Sequence, residues 1–230
     1  MDWTYSDTGL DVLTDYSKVH ASVWQQLGSC GTWWSGLERV AIMAEVRSAH
    51  GCGLCRDRKQ ALTPYAVDGA HSSGNRLSGS AVEAVHRITT DPGRITRPWA
   101  EAIIDDIGEE SYVELVAVVC TQFAVDGFAE ALGTEVAALP SPGVGVPSRI
   151  RPDDVGDVGA WVAQSLDKTM ANVTRAVSLV PDASAIWREV SGFHYSRGSE
   201  FLDLVWDRAL TRPQVEVVAS TVSTVNECFY

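Results

Sequence analysis

The sequence predicts an all-α fold built from two related helical modules, of which the second is incomplete. Three observations support this class. Helix start signals of the form Ser/Thr-x-x-Glu/Gln recur, in which the first hydroxyl and the last side chain satisfy free backbone amides reciprocally. Apolar residues follow these signals at spacings of three and four, the period of an amphipathic helix. Strand-like alternation is scarce, and Val-rich pieces such as residues 215–218 lie within longer helical periods.

Each helix is predicted from its own start signal or from its apolar period. The start signals are Ser35–Glu38, Ser80–Glu83, Ser111–Glu114 and Thr211–Gln214. The helix after Ser111 is expected to continue to about residue 132, where Gly127 and Gly133 offer places to stop. Further helical periods cover residues 14–27, 81–90, 98–107, 159–179, 183–191 and 199–209.

Two modules are predicted on either side of a proline- and glycine-rich segment. Residues 138–157 lack any helical period and are interpreted as a linker between a module at 1–137 and a partial module at 158–230. An offset of 176 residues places Ser35 on Thr211 and Cys52 on Cys228, so that a capped helix leading to a cysteine occurs twice. This coincidence favours a tandem duplication whose second copy stops at its motif.

Charge and composition exclude several classes of function. The chain has 30 acidic and 18 basic residues and a formal net charge of -12, so phosphate backbones and anionic membranes should repel it. No nucleic-acid or membrane partner is therefore expected. The first residues lack the basic and apolar parts of a signal peptide, which favours a cytoplasmic location. Five cysteines, an odd number, argue against a secreted disulfide framework.

The strongest chemical signal is Cys52-x-x-Cys55 at the start of a predicted short helix. Helix N-terminal amides and nearby cations stabilise the thiolate, which is the nucleophile toward peroxides and disulfides. Basic residues cluster around the pair at Arg47, Arg56, Arg58 and Lys59. Two cysteines three apart can attack and then resolve, so the motif predicts a redox-active disulfide.

Other roles for the pair stay open at this level. A zinc site needs two further ligands at suitable spacing, and neither a second C-x-x-C nor a histidine pair at zinc-finger spacing is evident. No metal and no organic cofactor are therefore predicted, although a structural cysteine pair is an alternative. His20, His71, His86 and His194 are interpreted as structural or exposed, and Cys120 as a core residue on an apolar helix face.

The chain resembles the alkylhydroperoxidase D-like and carboxymuconolactone decarboxylase-like superfamily. The resemblance rests on the capped helix that ends in Cys52-x-x-Cys55 and on the helices that follow it, and again on Glu216 twelve residues before Cys228. The family's peroxidases carry a glutamate twelve residues before C-x-x-C and a histidine four after it. In the first module Val40 and Lys59 stand at those two positions.

This resemblance implies an antioxidant peroxidase-type oxidoreductase on a helical bundle. It implies that Cys55 attacks the hydroperoxide and that Cys52 resolves, while a glutamate and a histidine relay the proton. Glu45 and His50 could replace the missing pair, because Glu45 lies two helical turns before Cys52 and His50 is two residues away. The predicted catalytic residues are Cys52, Cys55, Glu45, His50, Glu216 and Cys228.

Three functions are compatible with these residues. The first is reduction of a peroxide or disulfide through the cysteine pair, with a small hydroperoxide as substrate and a thiol protein as reductant. The second is acid-base catalysis on a small organic acid or lactone, as in the decarboxylase branch. The third is a non-catalytic helical oligomerisation protein. A second module that lacks its last helices also predicts a homo-oligomer or a tight pseudo-dimer.

Overall fold

The computed structural model describes residues 3–74, 76–195 and 209–225 and confirms the all-α class. Its α-helices are α1 Thr14–Gly28, α2 Gly36–Gly51, α3 Gly53–Gln60, α4 Gly79–Thr90, α5 Arg97–Ile107, α6 Glu109–Ala131, α7 Asn172–Arg175, α8 Pro181–Tyr195 and α9 Arg212–Val225. Short 3-10 helices lie at Ser6–Thr8, Pro64–Ala66 and Pro92–Arg94. Within the described part of the chain, the β-structure is one antiparallel pair, β1 Val155–Gly156 and β2 Gln164–Ser165.

Helix α6 forms the centre of the bundle. It packs against α2, α4, α5 and α8, and its buried Leu115, Val118 and Val119 join the main hydrophobic core. Among the described helices, α6 alone is long and apolar enough to cross a membrane by length and composition, but 56% of its most apolar window is buried in the bundle. A core helix gives the same pattern, because it too is surrounded by apolar groups.

Helix α2, which carries Glu45 and leads to Cys52, is fixed at its start by the predicted capping box. Ser35 Oγ accepts from the backbone N–H of Glu38, and the Glu38 carboxylate accepts from the backbone N–H of Ser35. A buried ion pair joins the helix to α6, with Arg39 Nε 2.6 Å from Glu114 Oε1. These two contacts fix the orientation of α2 and therefore the position of its last residues beside the cysteine motif.

Two other predicted capping boxes are wrong. Helix α4 is capped by Ser78 rather than Ser80, and Glu83 is held instead by partners distant in the sequence. Helix α6 begins after Gly108, whose φ of 88° favours glycine, so Ser111 already lies inside the helix. In both places a carboxylate that could close a local cap is used by a tertiary contact.

The predicted linker has no helix or strand before Val155, but it is fixed against the first helices rather than exposed throughout. Trp24 Nε1 donates to the carbonyl of Ala138, and Arg47 donates to the carbonyl of Ala137. The backbone N–H of Gly143 donates to the carbonyl of Gly28 at 2.7 Å. This segment therefore buttresses α1 and the start of α2.

The second half departs from the predicted modules in one clear respect. The predicted helix at 159–179 is wrong, because these residues form β2, loops and the short α7. The predicted helix at 183–191 is present as α8, and its Ile186 and Val190 join the same core as α1 and α6. The predicted helix at 199–209 lies almost entirely outside the described residues.

The predicted duplication is not confirmed. Helix α9 does begin directly after Thr211, whose backbone N–H donates to Gln214 Oε1 at 2.8 Å, as half of the predicted box. However, α2 is embedded in the bundle, whereas α9 has no buried residue. The module boundary at 138–157 and the repeat stay predictions.

Candidate functional site

The cysteine pair lies where α2 ends and α3 begins. Cys52 is the C-cap residue of α2 and also the N-cap residue of α3, and Cys55 is the third residue of α3. The backbone N–H of Arg56 donates to the carbonyl of Cys52, which closes the first turn. Both side chains are buried, with Cys52 8% and Cys55 5% exposed. The predicted placement at the head of a short helix is therefore present.

Two histidines converge on the sulfurs from distant parts of the chain. His71, on the irregular segment before α4, has its Nδ1 3.4 Å from Cys52 Sγ and 3.6 Å from Cys55 Sγ. His86, on α4, has its Nδ1 3.3 Å from Cys55 Sγ. The four ligand-capable atoms all lie within 4.8 Å of one another. Cys52, Cys55, His71 and His86 are called the Cys-His cluster below.

Each histidine contacts a carboxylate through the ring nitrogen that faces away from the sulfurs. His86 Nε2 lies 2.7 Å from Glu45 Oε2, and His71 Nε2 lies 2.8 Å from Glu83 Oε2. These contacts place the Nε2 proton toward the carboxylate and turn Nδ1 toward the sulfurs. Each imidazole is therefore held in a single orientation by its own acid.

The carboxylates are themselves anchored. Ser73 donates to Glu45 Oε1 at 2.7 Å, on the same irregular segment that carries His71. Arg58 donates to both oxygens of Glu83, at 2.8 Å and 2.7 Å. The site thus joins α2, α3, α4 and the segment between α3 and α4 through charge-assisted contacts, which are stronger than neutral hydrogen bonds.

Electrostatics favour a thiolate at Cys55. Burial alone would raise the pKa of the Cys55 thiol, but hydrogen bonds from His71 and His86 outweigh it and lower this pKa to about 6. The pKa of Cys52 is also lowered, since burial is outweighed by the hydrogen bonds from His71 and from the backbone of Cys55 together. Against burial, contacts with Cys55 and Glu83 raise the pKa of His71 to about 10. The pKa of His86 is raised as well, by Cys55 and Glu45, although burial opposes this.

A narrow crevice reaches Cys55 from the surface. Besides Cys55 and His71 it is lined by Arg58, Arg87 and Thr90, and it has no room for a water-sized sphere. The closed arrangement means that a substrate can reach the sulfur only after one of these side chains moves. His71 is the wall with the least regular backbone, because it lies on a segment without helix or strand.

No family model, no curated protein and no solved structure matches the chain. The resemblance to alkylhydroperoxidase D-like proteins therefore rests on the sequence pattern around Cys52 and Cys55 and stays a prediction.

The structure brings some predicted site residues together and separates others. Glu45 is buried and acts on His86, so it belongs to the site. His50 is exposed at the end of α2 and lines a different groove with Arg47 and Phe123, and the described residues show no contact between it and a sulfur. Glu216 is half exposed on α9, with Arg212 as an ion-pair partner. Cys228 lies outside the described residues.

The predicted cation cluster is mostly directed elsewhere. Arg47 pairs with Asp126 on α6, and Arg56 and Lys59 are exposed. Only Arg58 contributes, and it does so through Glu83 rather than by touching a sulfur. The positive environment of the thiols comes from two imidazoles instead of guanidinium or ammonium groups.

The histidines and Glu83 are the residues that sequence reasoning missed. The sequence pattern favours structural or exposed roles for His71 and His86. The expectation that no further ligands accompany the cysteine pair is wrong, because both histidines lie beside the sulfurs. The histidines lie 16 and 31 residues after Cys55, which matches no short spacing rule. The available signal was local: Glu83 and His86 are three apart on one helix, so both face the same neighbour.

Proposed function

We propose that the chain is a thiol-based oxidoreductase of the alkylhydroperoxidase D-like type, which reduces a small hydroperoxide through Cys55 and Cys52. One observation carries the proposal: Cys55 Sγ lies 3.3 Å from His86 Nδ1 and 3.6 Å from His71 Nδ1, with the second sulfur beside it. An anionic sulfur, a proton donor and a resolving thiol are the three parts that such a reaction needs.

Cys55 is the attacking residue in this proposal. Its thiolate attacks the outer oxygen of the hydroperoxide, the O–O bond breaks, and the alkoxide leaves with a proton from the imidazolium of His86 or His71. The products are an alcohol and a Cys55 sulfenic acid. Two histidine contacts favour Cys55 over Cys52, which has one, because each contact stabilises the thiolate.

Cys52 completes the cycle. Its thiolate attacks the sulfenic sulfur of Cys55, an S–S bond forms, and hydroxide leaves as water after taking a proton from His71. A dithiol protein then reduces the disulfide by thiol-disulfide exchange and becomes oxidised itself. This electron supply requires a reducing compartment such as the cytoplasm. The reaction uses no organic cofactor, because both electrons come from the two sulfurs.

The proton relay here would differ from the family's local motif. Glu45 stands seven residues before Cys52 rather than twelve, and His86 is supplied by α4 rather than by the residues just after the second cysteine. Both nevertheless provide the same chemistry, a carboxylate that orients an imidazole against the reactive sulfur. A displaced relay of this kind supports turnover without the residues that Val40 and Lys59 replace.

The decisive experiment is peroxide oxidation of the reduced, chelator-treated chain. We expect one equivalent of cumene hydroperoxide to produce a Cys52–Cys55 disulfide, detected by non-reducing peptide mass spectrometry. Cys55→Ser should lose hydroperoxide reduction by at least ~100-fold, because no general acid replaces the nucleophile. Cys52→Ser should stop at a sulfenic acid that dimedone traps. Cys120→Ser serves as the matched control and should behave like the parent chain.

Two outcomes would reject the proposal. Hydroperoxide loss at the same rate in Cys55→Ser and in the parent chain would show that the pair is not the reductant. Turnover of a small organic acid or lactone that survives in the double cysteine variant would instead support the acid-base branch, with the Glu45–His86 pair as base.

A further inference from the structure

We propose that the Cys-His cluster is a tetrahedral binding site for Zn²⁺. The four donors come from the head of α3, from the segment that precedes α4 and from α4 itself, and they meet at one point in the interior. Nearness of single residues in a fold is common, but four zinc-type donors converging from separate elements is not. The inference uses the same side chains as the proposed function but does not depend on turnover.

The distances between donors fit a zinc ion. A tetrahedron with Zn–S bonds of ~2.3 Å and Zn–N bonds of ~2.0 Å has S···N edges of about 3.5 Å. The observed S···N separations are 3.4 Å for Cys52–His71, 3.6 Å for Cys55–His71 and 3.3 Å for Cys55–His86. The remaining donor pairs lie within 4.8 Å of one another, so closing the tetrahedron requires them to approach by at most about 1.5 Å.

The surroundings of the histidines are those of metal ligands. A ligating histidine usually gives its outer N–H to a carboxylate, which fixes the tautomer and leaves the other nitrogen free to bind the metal. Both histidines here have this arrangement, through Glu83 and Glu45. Both Nδ1 atoms face the sulfurs in this arrangement, so the two imidazoles are positioned as metal ligands as well as proton donors.

The donor set also selects the ion. Two thiolates and two imidazoles in tetrahedral arrangement favour Zn²⁺ over the oxygen-preferring Mg²⁺ and Ca²⁺. The absence of a water-sized space in the crevice beside Cys55 leaves no place for a fifth ligand there. Such a closed four-coordinate site has the form of a structural zinc centre rather than of one that activates water.

Zinc binding would oppose the thiol chemistry. In the loaded site a lone pair of each sulfur is donated to the metal, and the imidazole Nδ1 atoms carry no proton for a leaving oxygen. The metal-loaded chain should therefore be protected from hydroperoxide, and the metal-free chain should be reactive. The ion would also tie His71 and its irregular segment to α3 and α4, so binding should stabilise the fold.

The test is metal binding by the full reduced chain. After chelation, dialysis against Zn²⁺ and removal of free ion, we expect one zinc per chain by elemental analysis. X-ray absorption should show two sulfur and two nitrogen neighbours. Replacement by Co²⁺ should give the intense visible absorption of a tetrahedral thiolate site. His71→Ala should weaken Zn²⁺ binding by at least ~10-fold, whereas His50→Ala, an exposed histidine elsewhere, should leave it unchanged.

The result separates this inference from the proposed function. The metal site would be overturned by any of three results. The parent chain does not retain zinc at micromolar protein concentration, X-ray absorption shows only oxygen neighbours, or His71→Ala binds zinc as tightly as the parent chain. None of these affects disulfide formation in the chelated chain, which is measured independently. Zinc bound by the parent chain with no reaction of the chelated chain toward hydroperoxide would retain the metal site and reject the oxidoreductase. Because X-ray absorption uses the parent chain, a variant that fails to fold does not remove the test.

Discussion

Single side chains decide how reactive the cysteine pair is. The sequence suggested that arginines and a lysine keep a sulfur anionic, but the structure gives this role to His71 and His86. An imidazolium differs from a guanidinium in that it can also release its proton to a leaving group near neutral pH. The histidines therefore support both the charge and the proton transfer that the proposed reaction requires.

The pH dependence of Cys55 alkylation tests this assignment. In chelator-treated, reduced protein the reactive thiolate should be lost as pH falls through about 6, the pKa of Cys55. Burial raises the pKa of Cys120 to about 11, so this residue should stay unreactive across the same range and provides an internal reference. Rates with iodoacetamide, assigned by fragmentation mass spectrometry, measure both. A Cys55 midpoint near that of an ordinary thiol, ~8.5, would contradict the histidine contacts.

Glu45→Gln should raise the Cys55 midpoint. The change removes the charge that holds His86, so the pKa of His86 falls and its contact with the thiolate weakens. Loss of about 1.4 kcal/mol from this contact corresponds to roughly one pH unit. Arg56→Gln is the matched control, because Arg56 is exposed and its ion-pair partner among the described residues is its neighbour Asp57. An equal shift in both variants would mean that general surface charge, not His86, sets the midpoint.

Whole elements show what local sequence can and cannot predict. The helices α1, α2, α4, α5, α6 and α8 were predicted because their periods and the Ser35–Glu38 cap are local features. The predicted capping boxes at Ser80 and Ser111 are wrong because Glu83 and Glu114 contact residues distant in the sequence instead. For the same reason Glu45 could be predicted from the helix that carries it, whereas His71 could not, since only the folded chain brings its segment to α3.

The start of α2 depends on a close backbone approach. A Cβ atom on Gly36 would lie 2.5 Å from the carbonyl oxygen of Gly143 and 2.6 Å from that of Gly28. Neither backbone oxygen can rotate away, so Gly36→Ala should push the proline- and glycine-rich segment off α2 and cost about 2 kcal/mol in the free energy of unfolding. Urea unfolding followed by circular dichroism measures the loss.

The matched control for this prediction lies at the other end of the same helix. A Cβ atom on Gly51 would meet nothing within 4 Å. Gly51→Ala should therefore be neutral or stabilise the fold by up to ~0.5 kcal/mol, because alanine has the higher helix propensity. If Gly36→Ala were equally harmless, the segment near Gly143 would not be docked against α2 as described.

At the scale of the whole molecule, α8 closes the bundle by packing on α1 and α6. Besides the apolar core, a row of polar contacts links the segment before α1, α1 itself and α8. Tyr5 Oη lies 2.6 Å from His20 Nδ1, and His20 Nε2 lies 2.7 Å from His194 Nε2 on α8. Phe128 of α6 packs against both histidine rings. Both contacts are hydrogen bonds if Tyr5 donates its hydroxyl proton to His20 Nδ1 and His20 donates its Nε2 proton to His194 Nε2. Both imidazoles are then neutral.

This arrangement predicts that stability falls in mild acid. Burial, followed by the neighbouring His194, lowers the pKa of His20 to about 3, and burial also lowers that of His194. In the unfolded chain both titrate near ~6.5. Below that pH the unfolded state binds more protons, so the free energy of unfolding should decrease by up to ~1.4 kcal/mol per pH unit for each histidine. Above it, neither state is protonated and the full contribution is present.

Comparison with His20→Gln isolates the effect. Glutamine can keep a hydrogen bond to Tyr5 or His194 but does not titrate, so this variant should be less stable at pH 7.5 and lose less stability on going to pH 5.5. The Cys-His cluster titrates in the same range, but it is identical in both proteins, and the difference between the two slopes removes it. Urea midpoints at these two pH values measure the slopes. Parallel slopes would show that His20 already accepts a proton in the folded protein, and α8 would then be held to α1 by a charged histidine pair instead of a neutral one.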